Sequence, residues 1–211
     1  MFDIEYKGGN TVVFNTKKVS VITDPRQSLI GLKDILSKDS VQLATEDRFS
    51  IRDNSYRLII DGPGEYEVAD ASIRGVSASR HIDTPDVPQI STIYQLEIGD
   101  VRIALLGNIG PELSELQLES IGVVDIVIIP VGGSGYTLDA TSAAKIVRQI
   151  EPKIVIPVHY RDDALTYEVP QDTVDTFINE LGAPTERIAK LKVKNRTSIP
   201  ESLTTVVIER S

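Results

Sequence analysis

The chain has 211 residues, 41% apolar and 25% charged, with a net charge of −9. That length suits a single domain over 1–211 with a sizeable core, and the acidic balance, with no long basic run, argues against a nucleic-acid-binding face. There is no cysteine and there are only two histidines, which excludes disulfides, thiolate zinc sites, iron–sulfur clusters and cysteine nucleophiles and leaves His, Asp, Glu and Asn as possible metal ligands.

Taken in chain order, the first third reads as β. Runs rich in Val, Ile, Phe and Tyr at 2–6, 11–15 and 19–23 are separated by Gly8-Gly9-Asn10 and Thr16-Lys17-Lys18, and Asp24-Pro25 stops the third. A short helix is expected over 28–36. Strands are then expected at 41–44, 56–60, 66–68, 72–77, 92–98 and 101–106, with Gly99-Asp100 as a hairpin signal between the last two. The Pro content of 83–88 suits a surface loop. Beyond residue 110 helices appear. One is expected over 114–121. The continuous apolar run at 125–130 reads as a strand buried on both faces. A better helix spans 139–150, with Asp139 as its cap and Ala143, Ile146, Val147 and Ile150 on one face. A second buried strand follows at 153–158. A helix over 170–181 turns Val174, Phe177, Ile178 and Leu181 inward and ends at Gly182, and a strand spans 204–208. Together these suggest two sheets packed face to face with helices outside. No run approaches the roughly 18 apolar residues of a membrane span. The start, Met1-Phe2-Asp3-Ile4-Glu5, lacks the basic residues of a signal peptide, so a cytoplasmic location is expected.

Four ordered segments carry a family resemblance. They are Val21-Ile22-Thr23-Asp24-Pro25, Gly62-Pro63-Gly64-Glu65-Tyr66-Glu67-Val68, Leu105-Leu106-Gly107-Asn108-Ile109-Gly110, and the stretch 124–160, which contains Pro130-Val131-Gly132-Gly133 and Pro157-Val158-His159-Tyr160. In this set the chain resembles uncharacterised metal-dependent hydrolases of the metallo-β-lactamase type. The resemblance implies an α/β fold, the four-layer αββα sandwich of that family. It also exposes a departure. Thr45-Glu46-Asp47-Arg48-Phe49-Ser50-Ile51 stands where the family carries T-H-x-H-x-D-H, so Glu46, Arg48, Ser50 and Ile51 replace ligands. Asn108 replaces the aspartate of L-G-D-L-G. His159 stands at a ligand position, and His81 is the candidate for one more.

Chemically these replacements oppose a dinuclear metal site. Isoleucine cannot ligate, serine is a poor neutral ligand, asparagine cannot bridge two dications well, and a guanidinium repels a metal. Arg48 would instead donate to Glu46, Asp24 or Asp47, replacing metal by an ion-pair network; the competing reading turns it to solvent. His159 is read either as a ligand or as a relict histidine hydrogen-bonded in the old pocket, and His81 as a pocket or an exposed loop residue. The pocket candidates are thus Asp24, Glu46, Asp47, Arg48, Ser50, Glu65 and Asn108. The weak metal candidates are His81, His159 and Glu46. Gly132-Gly133-Ser134-Gly135-Tyr136 lacks both the lysine of a phosphate loop and the nucleophile-elbow spacing, and reads as a tight loop. No cofactor is expected. The leading expectation is a degenerate family member that binds a small ligand or a protein. The alternatives are a hydrolase of ester or phosphoester bonds using one zinc or similar divalent ion, and a structural subunit of a homo-oligomer.

Overall fold

The computed structural model describes residues 1–81 and 90–211. In chain order, β1 (Phe2–Gly8), β2 (Thr11–Asn15) and β3 (Ser20–Thr23) lead to a 3-10 turn (Gln27–Ile30), then β4 (Ser37–Leu43), a second 3-10 turn (Asp47–Phe49) and β5 (Tyr56–Ile60). There follow β6 (Gly64–Val68), β7 (Ala71–Ser79), β8 (Ile90–Ile98) and β9 (Val101–Leu105). Helix α1 (Glu115–Ile121), β10 (Ile126–Pro130), α2 (Ala140–Ile150), β11 (Ile154–Val158) and α3 (Val174–Leu181) alternate before β12 (Thr185–Ile188), β13 (Leu191–Val193) and β14 (Thr204–Ile208). A six-stranded sheet has the order β13-β1-β2-β3-β4-β5, and an eight-stranded sheet has the order β12-β14-β11-β10-β9-β8-β7-β6.

The two-residue period of the strands builds the layers. Phe2, Ile4 and Tyr6 of β1 point inward, and Phe14 of β2 joins them against Tyr94, Leu96, Ile103, Leu105, Ile128 and Ile156 of the larger sheet. The alternate residues Ala104, Val127, Ile129 and Val155 face the other way and pack on Ala143, Ile146 and Val147 of α2 and Phe177 of α3. Central strands β10 and β11 are buried throughout because both of their faces are covered. The helix ends are specified locally. Ser114 and Gln117 form a capping box on α1, Asp139 accepts from Ser142 N at 2.7 Å on α2, and Gly182 ends α3 in the left-handed conformation.

This is the sandwich the resemblance implies, with one layer reduced. On the outer face of the six-stranded sheet, Val13, Ile22 and Tyr56 are covered by Ile35 and Ile51 from loops, and no α-helix lies there among the described residues. The helix expected over 28–36 is only the turn Gln27–Ile30. Gly31 ends it at φ 81°, and Asp34 turns back to accept from Ser28 N at 2.7 Å. Strands β12 and β13 were not expected. The first three residues of β12 are all exposed and β13 has only three residues, so neither carries an alternating pattern. The loop expected over 83–88 lies outside the described residues. No described helix is long and apolar enough to cross a membrane.

Phe177 is fully buried between α3, α2 and the larger sheet. Phe177→Ala is expected to cost about 3–5 kcal/mol in urea denaturation. Leu116, exposed on α1, should cost no more than about 0.5 kcal/mol when changed to Ala. Equal losses at the two positions would show that α3 is not docked as described.

Candidate functional site

Strand ends deliver the site. Asp24 follows β3, Thr45 and Glu46 follow β4, Arg80 follows β7, Asn108 follows β9 and His159 follows β11, while Asn10 sits in the β1–β2 turn. Two of these have left-handed backbone although they are not glycine: Asp24 at φ 42° and His159 at φ 48°. Each is held there by specific bonds. Asp24 Oδ1 accepts from Thr45 N and Oδ2 from Thr45 Oγ1, both at 2.7 Å, and its carbonyl accepts from Thr11 Oγ1 at 2.7 Å. His159 N donates to the Gly9 carbonyl at 2.8 Å. Such strained positions persist only where the surroundings over-determine them. Gly107 belongs to the same framework: at φ 59°, a Cβ there would lie 2.8 Å from Thr45 Cβ, so only glycine lets Asn108 approach.

The Glu46 carboxylate is the hub, and Glu46 is only 5% exposed. Its Oε1 accepts from Asn108 Nδ2 at 2.8 Å, and Asn108 Oδ1 accepts from Asn10 Nδ2 at 3.1 Å. Its Oε2 lies 3.2 Å from Arg48 Nε and 2.8 Å from Arg80 Nε. These are ion pairs by distance, but the N–H groups are not aligned with the oxygen, and both buried Nε atoms lack a hydrogen-bond acceptor among the described residues. The Arg48 guanidinium lies 4.6 Å from the Phe49 ring centroid and 4.8 Å from that of Tyr136, and reaches Glu168 Oε1 at 3.1 Å. Arg80 sits 5.6 Å from the same Tyr136 ring.

Burial dominates the protonation of the site. It pushes Asp24 up to about 7, against its two bonds from Thr45. It raises Glu46 above the usual carboxylate range, opposed by Arg48, Arg80 and the Asn108 amide. It lowers Arg80, which Glu46 opposes. His159 is driven down to about 3 by burial and then by Arg48, so it is neutral near pH 7.

The other expected residues disperse. Asp47 is exposed and paired with Arg52. Ser50 is buried but turned away from Glu46: it accepts from Gln42 Nε2 at 2.8 Å and donates to Asp61 at 3.2 Å. Ile51 packs on the outer face of the smaller sheet. Both corrections have one cause, the 3-10 turn Asp47–Phe49, which redirects the chain after Arg48. Glu65 is also corrected: it is exposed on edge strand β6, 3.6 Å from Arg74. His81 is half-buried, and its backbone N donates to the Asn108 carbonyl at 2.8 Å. His159 lacks the hydrogen bond expected of a relict, because its buried Nδ1 has no partner among the described residues. Arg80, Tyr136 and Glu168 were not anticipated, whereas Gly9-Asn10-Thr11 stands where the family carries G-H-S. The one available signal was that Arg80 adjoins His81, a position the family register already marked.

Two spaces lie at the site. A cavity of about 20 Å³ is bounded by Asn10, Asp24, Tyr136, His159 and Gln171. A cleft of about 260 Å³ is bounded by Thr45, Glu46, Arg48, Pro63, Arg80 and Ile90. The donor set fits a divalent ion poorly. Both Glu46 oxygens are engaged, Asn108 is neutral, two permanent cations stand beside the carboxylate, and no group of three or more His, Asp or Glu comes together among the described residues.

The two-sheet sandwich and a site built from its strand ends define a metallo-β-lactamase-fold protein. The model of the beta-lactamase superfamily domain matches residues 3–159, and the chain belongs to that family. A UPF0173 protein of Pyrococcus furiosus is 39% identical over 69 residues, 32% of this chain and 30% of that one. A UPF0173 metal-dependent hydrolase of Carboxydothermus hydrogenoformans is 33% identical over 67 residues, 32% of this chain and 29% of that one. The chain thus matches about three-tenths of the length of these relatives. Among solved structures, a candidate zinc-dependent hydrolase of the metallo-β-lactamase superfamily from Thermotoga maritima superposes with a TM-score of 0.77 at 23% identity, over 99% of this chain and 100% of that one. That likeness is one of fold.

Asp24 and His159 give opposite pH dependences. Asp24 titrates near 3.8 unfolded and about 7 folded, so its contribution is full below pH 3.8 and is lost as pH rises through 7. His159 titrates near 6.5 unfolded and about 3 folded, so its contribution is full above 6.5 and is lost as pH falls toward 3. Asp24→Asn removes the first and leaves the second. Urea midpoints across pH 4–8 should find the variant gaining on the parent up to pH 7, by on the order of a few kcal/mol, and level above it. A difference independent of pH would mean that Asp24 ionises normally.

Proposed function

We propose that this chain is a family member whose metal cavity has become an ion-pair network, and that it binds a small ligand or a protein partner in the cytoplasm without dinuclear hydrolysis. The observation that carries this reading is the pair of guanidiniums, Arg48 and Arg80, on the buried Glu46 carboxylate. A dication beside them would meet two fixed positive charges and find no free carboxylate oxygen. The ion pairs also provide what a metal would otherwise provide, a partner for charge inside the fold.

A second reading has support in the relatives, one of which is named a metal-dependent hydrolase. A mononuclear site would need Arg48 to swing out so that Glu46 and His159 could turn to one ion. His159 is neutral and therefore competent to ligate.

The readings separate on metal content. Zinc, manganese and iron are measured in protein purified without a tag or chelator, and melting is followed with and without added metal. The rebuilt site is expected to hold well under one equivalent and to melt unchanged. One tightly held ion with a chelator-sensitive transition supports the mononuclear hydrolase; two sink the proposal. Removing each arginine gives a further check. Arg48→Ala should cost roughly 1–3 kcal/mol and Arg80→Ala somewhat more, because the Arg80 side chain is 6% exposed and that of Arg48 25%. If both variants melt in urea like the parent, the network does not hold the site together.

A further inference from the structure

The two spaces at the site differ in what they can take. The inner cavity, at about 20 Å³, is of the size of one water. The cleft, at about 260 Å³, lies just below the roughly 300–1,000 Å³ of common ligand pockets, which suits a compact molecule. Its floor is charged. Arg48 and Arg80 stand on one buried carboxylate, Glu46. Asp47 and Asp61 also line the cleft and both pair with Arg52, and Glu168, which shares Arg48, is half-exposed.

Arg48 and Arg80 both line the cleft. Their Nε–H groups are buried against Glu46 and closed to a ligand, but a guanidinium matches a carboxylate in plane and charge. The walls are of another kind. Pro63 and Ile90 line the cleft, and Ile90, a large apolar side chain, is 61% exposed.

We infer that this cleft binds a small monoanionic carboxylate with an apolar body, its carboxylate on Arg80 and Arg48 and its body against Pro63 and Ile90. Asp47 and Asp61, which also line the cleft, weigh against a second negative charge on the ligand. The inference rests on the metal-free reading of the site, and metal content measured on the same sample keeps the two separate.

The test is calorimetric titration and thermal melting with benzoate as probe. Benzyl alcohol, benzylamine and inorganic phosphate are run as comparisons on the full chain. Benzoate is expected to bind at one site per chain in the millimolar range or tighter and to raise Tm. Benzyl alcohol, which keeps the ring without the charge, should bind at least tenfold more weakly, and benzylamine not at all. Arg80→Gln should weaken benzoate at least tenfold. Because that substitution also disturbs Glu46 and can unfold the chain, Ile90→Asp is the second variant. It lies at the exposed mouth, outside the ion pairs, and should weaken benzoate while leaving Tm of the free protein unchanged. Absence of benzoate binding, equal binding of benzyl alcohol, tighter binding of phosphate, or benzoate binding insensitive to Ile90→Asp each overturns the inference. If such a sample is metal-free, only the carboxylate site is lost; if it holds tightly bound metal, the rebuilt-site reading falls as well.

Discussion

The buried Glu46 carboxylate is the constraint to which the rest of the site answers. It draws together Arg48 from the turn after β4, Arg80 from the end of β7 and Asn108 from the end of β9, and through Asn108 it reaches Asn10 in the first hairpin. These contacts join the two sheets at one end of the sandwich. A lone carboxylate at that depth would be strongly penalised, and it is tolerated here because charge and donors surround it. Two guanidiniums carry the same formal charge as one dication. In the reading proposed above, arginines in place of a metal would preserve charge balance without Lewis acidity. Such a change would leave the fold intact, because function resides in the site rather than the scaffold.

The backbone around that hub is held by the chain's own bonds. Asp24 and His159 keep left-handed conformations through bonds to Thr45, Thr11 and Gly9, and Gly107 lies too close to Thr45 for any side chain. Each constraint comes from neighbouring strand ends. The strain is thus carried by the two-sheet framework, whose core runs unbroken from Phe2 and Tyr6 to Ile128 and Ile156.

The elements with a strong period were legible in the sequence. The apolar runs of β10 and β11 and the one-sided face of α2 could hardly be anything else. The family register located Glu46, Arg48, Asn108 and His159 at one site because each follows a strand whose end is well marked. It misplaced Ser50 and Ile51 for a definite reason. Register counts residues along the chain, but the Asp47–Phe49 turn changes where the next side chains point. Glu65 was misread because its motif forms an edge strand, where alternate residues face water. Arg80, Tyr136 and Glu168 went unread because they reach the site from distant segments through side-chain geometry. A lone arginine at a strand end has no periodic signature. β12 and β13 were invisible for a related reason: they are held by backbone pairing to β14 and β1, and bury little.

The protonation pattern narrows the chemistry further. His159 is neutral, and Asp24 holds its proton to about pH 7 while both of its oxygens already accept bonds from Thr45. Neither is arranged as a general base: Asp24 is committed to Thr45, and His159 is packed edge-on to Tyr136 and Tyr167 at centroid distances of 5.5 and 4.9 Å. General base catalysis needs an acceptor within reach of the proton it removes and with a pKa suited to the working pH. His159, at about 3, is a poor base near neutrality. The strongly charged groups in contact at the hub are Arg48, Arg80 and Glu46. A cavity of fixed charges, flanked by a cleft with apolar walls, matches the recognition role proposed above.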